Sequence, residues 1–77
     1  VTSSAADIYD LRGLKCPLPV LKSRKKLATM ARGDDLWVAT TDQLAVIDIP
    51  HMCREEGHIL IAVVPTGLGH RFHIRKG

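Results

Sequence analysis

Cys16 begins the run Cys16-Pro17-Leu18-Pro19. Cysteine reacts as the thiolate, and a helix N-terminus lowers a thiol's pKa from its ordinary value of about 8.5. The cause is the positive end of the aligned peptide dipoles, together with the unpaired N–H groups of the first turn. Proline suits that first turn, because its missing N–H removes no bond there. Pro17 and Pro19 therefore predict a helix starting at Pro17, with Cys16 in the N-cap place. Pro17 also pushes Cys16 towards an extended conformation, so the sulfur is expected at the helix mouth. Gly13 lies in the loop before it, and Arg12 and Lys15 add positive charge. Such a thiol suits nucleophilic attack or the carriage of a negatively charged sulfur atom. The alternative is a small buried hydrophobe with no chemistry.

Other reactive side chains are few. His51, His58, His70 and His73 all lie far along the chain, so a Cys-His hydrolase is not expected; no nearby general base is evident. Cys53 could resolve a disulfide with Cys16, although its register on a second helix favours core packing. Cys16, His51, Cys53 and His58 do not have the paired close ligands of a structural zinc site, and no metal is expected. Arg24 interrupts the apolar stripe of the first helix, and either folds back towards the cysteine or snorkels outward. Asp10 either accepts hydrogen bonds from the Arg12-to-Lys15 loop or simply ends a strand. Lys15, Lys22, Arg24, Lys25 and Lys26 form a basic cluster, read as a solvated helix face or a docking surface for an acidic partner. Tyr9, Trp37 and Phe72 fall on strands and make no base-stacking platform, so direct nucleic-acid binding is not expected.

The elements that must position the cysteine follow from periodicity. Ile8 to Leu11 alternates and reads as a short strand. A helix from Pro17 to about Ala31 places Val20, Leu21, Leu27, Ala28 and Ala31 on one side, with Gly33 as its cap. Leu36 to Thr40 is rich in strand formers. Thr41 or Asp42 is placed to cap a second helix, which is expected to break near Ile49 and restart at Pro50 before ending at Gly57. The continuous apolar run Ile59 to Val64 predicts a buried strand. Pro65 to Gly69 forms a turn, and Arg71 to Arg75 alternates as a last strand with Phe72 and Ile74 on one face. The order β-α-β-α-β-β, with right-handed crossovers, predicts a two-layer α/β sandwich: a four-stranded mixed sheet with two helices on one face.

Seventy-seven residues hold one domain, expected over 8–77, after a disordered N-terminal segment at 1–7. A chain this short buries roughly 60% of its unfolded surface, which excludes a separate cofactor or substrate domain; no cofactor is expected. Any chemistry is simple or shared with a partner. The composition, 45% hydrophobic and 25% charged, is that of an ordinary globular domain. The net charge of +3 is too mild to demand a polyanionic ligand. No apolar run spans a bilayer, and Val1 to Asp7 lacks the basic-then-apolar pattern of a secretory signal. Two cysteines without a CxxC motif fit a reducing cytoplasm, where a cysteine is more often catalytic than bridged.

Asp10-Leu11-Arg12-Gly13 followed by Cys16-Pro17-Leu18-Pro19 resembles the signature of the TusA family of sulfur carriers, also called SirA-like. The likeness continues through Gly33-Asp34, Asp42, Asp48-Ile49-Pro50, Cys53 and the closing Phe72-His73-Ile74-Arg75-Lys76, so it spans nearly the whole chain. The resemblance implies a persulfide relay. Cys16 would take sulfane sulfur from a donor such as a cysteine desulfurase or a rhodanese, and pass it to an acceptor protein with a reactive cysteine. A chain of so little depth is expected to act as a monomer through an exposed site on which partners dock. Destinations in the family include tRNA thiolation, molybdenum cofactor maturation and sulfur oxidation. Leu18 stands where the best-known tRNA-thiolation members have an acidic residue, so the particular relay stays open. Two other readings stand beside it: a non-catalytic regulatory or interaction module of the same fold, and a thiol redox protein using Cys16 and Cys53.

Overall fold

A computed structural model describes residues 8–77, and the expectation about residues 1–7 lies outside the described residues. The elements are β1 (Ile8–Asp10), α1 (Leu18–Ala28), β2 (Asp35–Thr40), α2 (Ala45–Glu56), β3 (Ile59–Pro65) and β4 (His70–Arg75). The strands form one mixed sheet in the order β1-β2-β4-β3. β1 runs parallel to β2, while β4 is antiparallel to both β2 and β3. The expected two-layer α/β architecture is the observed one.

One core joins the layers. Leu36 and Val38 of β2, Phe72 and Ile74 of β4, Leu27 of α1, and Ala45, Ile49, Met52 and Cys53 of α2 belong to a single buried cluster. Both helices therefore cover the same sheet face. The strand pleat sends alternate residues the other way, and there Trp37 stacks on His73 with ring centroids 4.5 Å apart.

Both helices depart from expectation. α1 starts at Leu18, with Pro17 as N-cap, and stops at Ala28. Its last turn tightens because the N–H groups of Thr29 and Met30 bond three residues back, to Lys26 and Leu27, and the Thr29 hydroxyl also donates to the Lys26 carbonyl, at 2.7 Å. Gly33 lies beyond the helix end, where its N–H donates to the Lys76 carbonyl. The buried positions are Pro19, Ser23 and Leu27; Leu21, Ala28 and Ala31 are exposed. The helix has rotated so that Pro19 and Ser23, not only its aliphatics, meet the core.

α2 does not break at Pro50 but runs through it from Ala45 to Glu56. Proline deprives the carbonyl four residues back of its bond, and that residue, Val46, is exposed. Meanwhile Ala45, Ile49, Met52 and Cys53 keep one helical stripe buried. Core packing on both sides of the proline outweighs its local cost. Leu44, not Thr41 or Asp42, is the N-cap, and the helix closes as expected on Gly57, whose φ of 79° is the left-handed conformation of a C-terminal cap.

β3 is not a buried strand. It forms the sheet edge, and Ile59, Ile61, Val63 and Val64 are all exposed. A continuous apolar run cannot by itself distinguish a central strand from an edge. An irregularity between Leu60 and Ala62 interrupts the pairing, as bulges commonly do at sheet edges.

Phe72 is fully buried at the centre of the core. Phe72→Ala is expected to cost about 3–5 kcal/mol, read as a lower urea midpoint at unchanged slope, whereas Leu21→Ala on the exposed face should shift it by less than about 0.5 kcal/mol.

Candidate functional site

Parallel pairing of β1 and β2 brings the loops that follow them out at the same end of the sheet. The first loop carries Arg12 to Pro17, and the second carries Thr41 to Leu44. Three kinds of bond sew them together. The Leu11 N–H donates to the Ala39 carbonyl (2.8 Å). The Gly13 N–H donates to the Thr41 hydroxyl (2.9 Å). The Cys16 N–H donates to Oδ2 of Asp42 (2.9 Å). Gly13 has a φ of 85°, a conformation that favours glycine, so its place in the loop has a backbone cause.

Cys16 is exposed at this junction. Its Sγ donates to Oδ2 of Asp48, in the first turn of α2, at 3.2 Å. The sequence gives Asp42 and Asp48 no part in the chemistry: Asp42 is a candidate helix cap there, and both stand among the residues that carry the family resemblance. The available signal was the placement of two carboxylates around the start of the second helix, which leads out of the strand beside β1.

The expected acidic thiol is not what the geometry produces. The Cys16 pKa is raised above its ordinary value, first by the hydrogen bond to Asp48, then by desolvation and the negative charges of Asp48 and Asp42. Two local features withhold the helix end from the sulfur. Pro17, not Cys16, is the N-cap of α1, and the Leu18 N–H is committed to the Lys15 carbonyl at 2.8 Å. A full charge bonded to the sulfur outweighs the roughly half charge at a helix end.

The structure places the other candidates as follows. Pro17 and Pro19 open α1, with Pro17 exposed and Pro19 buried. Arg12 does not face the thiol: its Nε and Nη2 grip the Asp10 carboxylate at 2.8 and 2.9 Å, and its own N–H donates to Asp10 at 3.1 Å. Those bonds hold the Asp10 carboxyl down to about 2. Asp10 thus braces the loop, and Arg12 spends its charge there. Lys15 is exposed and supplies the loop carbonyl just described. Arg24 does not fold back to the cysteine; it pairs with Glu56, at the far end of α2, at 3.5 Å. Cys53 is buried in the core, and burial pushes its thiol up to about 11. The structure brings Cys16 together with Asp42 and Asp48, and leaves Arg12, Arg24 and Cys53 outside that group.

Among the described residues, no three His, Cys, Asp or Glu side chains gather as a metal site, and no helix is long and apolar enough to cross a membrane. A hollow of about 800 Å³, lined in part by Tyr9, Lys26, Met30, Trp37 and His73, shares no residue with the Cys16 junction. On the two helices that flank the site, Leu18 and Leu21 of α1, and Leu44 and Ile47 at the start of α2, are exposed.

Fold and site define a small α/β protein that presents one accessible thiol between two loops. Comparison with known proteins gives that class a family. The family model described as sulfurtransferase TusA matches residues 7–76, and the chain belongs to this family. Two proteins of Neisseria meningitidis, one from serogroup A strain Z2491 and one from serogroup B strain MC58, are each 46% identical to it over 56 residues. The match covers 73% of this chain and 76% of each relative, and the provisional names of both call them sulfur carrier proteins.

Thiol titration should therefore find Cys16 less acidic than a free cysteine, opposite to the helix-mouth expectation. Iodoacetamide should label one site in the folded protein, Cys16, and reach Cys53 only on unfolding. Native labelling of Cys53 at a comparable rate would contradict its burial.

Proposed function

We propose that this protein is a sulfur carrier: it accepts sulfane sulfur as a persulfide on Cys16 and hands it to the thiol of an acceptor protein. The observation that carries this reading is the exposed Cys16 sulfur at the junction of the two loops. Family membership and the names of the two relatives support it. The donor is a persulfide-bearing protein such as a cysteine desulfurase or a rhodanese. The acceptor carries a reactive cysteine of its own. Exposed leucines and an isoleucine on the helices beside the site suit transient docking, since exposed apolar side chains mark interaction surfaces when they gather. A reducing cytoplasm fits a free, exposed cysteine. The sulfur's destination lies among tRNA thiolation, molybdenum cofactor maturation and sulfur oxidation.

The chemistry needs no cofactor. The Cys16 sulfur attacks the outer sulfur of the donor persulfide, the donor S–S bond breaks, and the donor leaves as its thiolate. A second exchange of the same kind unloads Cys16. Burial of Cys53 argues against a Cys16–Cys53 redox couple, because a resolving thiol must reach the sulfur that it resolves.

The test is intact mass after incubation with a cysteine desulfurase and cysteine, or with a rhodanese and thiosulfate. The protein should gain the mass of one sulfur atom, reversibly on reduction. Cys16→Ser should abolish the gain and Cys53→Ser should keep it. Uptake by Cys16→Ser would overturn the assignment, and a loss of two hydrogens on mild oxidation that needs Cys53 would favour the redox reading.

A further inference from the structure

The persulfide reading leaves a proton unassigned. Transfer needs the Cys16 sulfur as a nucleophile, yet the group nearest to it is a carboxylate that accepts its S–H. We propose that Asp48 is a catalytic residue, whose carboxylate takes the Cys16 proton as the sulfur attacks and returns it to the departing donor thiolate. This role rests on Cys16 being the sulfur carrier.

Three observations carry it. The Sγ–Oδ2 separation of 3.2 Å is hydrogen-bond contact for sulfur, so the proton is already aimed at its acceptor. The two acidic groups near the thiol are held differently. Asp42 is occupied with backbone, one oxygen accepting from the Cys16 N–H and the other from the Leu44 N–H at 3.4 Å. Asp48 alone of the two bonds the sulfur. Its footing is also firm: Asp48 is half-buried in the first turn of α2, where a helix dipole favours negative charge, and the helix beneath it is anchored by Ala45, Ile49 and Met52.

The step balances without an oxidant. The Cys16 thiol and a donor R–S–SH become R–SH and Cys16–S–SH. The new S–S bond forms as the donor S–S bond breaks, its electron pair leaves on R–S⁻, and the proton passes from Cys16 through Asp48 to that sulfur. While the site is idle, the same hydrogen bond keeps an exposed thiol in its neutral, less reactive form. Asp48 thus separates two properties that a simple acidic thiol would combine: low reactivity towards chance electrophiles and competence towards a persulfide.

That separation is the test. Asp48→Asn keeps the size of the side chain but cannot take a proton. Near neutral pH, iodoacetamide should alkylate Cys16 in Asp48→Asn at least about threefold faster than in the wild type, because more thiolate is present. Single-turnover transfer from glutathione persulfide, followed by intact mass, should fall by tenfold or more. Asp48→Glu should recover much of the transfer. A structural role would move both rates together, so parallel changes in Asp48→Asn overturn the proposal, as does unchanged transfer. A wild type that takes up no sulfur overturns the carrier reading itself and this role with it; a wild type that loads while Asp48→Asn loads equally fast overturns only the role of Asp48. Should Asp48→Asn fail to fold by circular dichroism, wild-type transfer in D₂O decides. A normal solvent isotope effect supports a proton in flight, and the inverse effect of a preformed thiolate overturns it.

Discussion

The parallel pairing of β1 with β2 is the constraint from which the site follows. Parallel neighbours require a crossover, and here α1 supplies it. Both strands therefore point their C-terminal ends the same way, and the chain leaves each of them through a loop on that side. Without this pairing, Ala39, Thr41 and Asp42 would have no loop to grip. With it, a three-residue strand, too short to stand alone, is fixed in register from Ile8↔Trp37 to Asp10↔Ala39 and continued by the bonds at Leu11, Gly13 and Cys16. The cysteine is thus placed by backbone pairing and two side-chain acceptors, with Asp10 and Arg12 bracing the turn between.

The same loops decide the electrostatics. A cysteine at a proline-led helix start looks acidic because the helix end is the nearest positive feature along the chain. Across space the nearest feature is α2, and its first turn brings a carboxylate to the sulfur. The two influences differ in kind. The dipole is a partial charge spread over several peptide groups, one of whose N–H groups is already bonded to Lys15. Asp48 is a whole charge in direct hydrogen-bond contact. Arg12 offers no counterweight, because it is chelated by Asp10. The Cys16 pKa is raised rather than lowered as a result.

Much of the fold was legible because each element carried its own period and punctuation. Phe72 and Ile74 alternated with polar neighbours and are buried; Gly57 marked a helix end and adopts the conformation that a cap requires. The misreadings share one cause, the use of local rules where distant packing rules. Pro50 breaks an isolated helix, but Ile49 and Met52 hold this one together from the core. The run from Ile59 to Val64 reads as buried until strand order puts it at the edge. At the site, the place of the cysteine just ahead of α1 was legible from the prolines after it. Its protonation was not, because Asp48 lies on another element, and a sequence states which groups are near one another only within a helix turn or along a strand.

A small carrier faces a requirement that an enzyme with a deep pocket avoids. Its sulfur must be open enough for two proteins to reach in turn, and an open thiolate would be spent on whatever electrophile arrived first. Depth cannot protect it, since a chain of 77 residues has little interior to spare. Chemistry can. A thiol held neutral by a carboxylate is quiet when alone, and the attached proton acceptor becomes useful only when a persulfide is positioned for attack. On the proposed reading, the carboxylate of Asp48 performs at an exposed site a selection that larger enzymes obtain by enclosure, and the exposed side chains of Leu18, Leu44 and Ile47 offer partners a surface rather than a pocket.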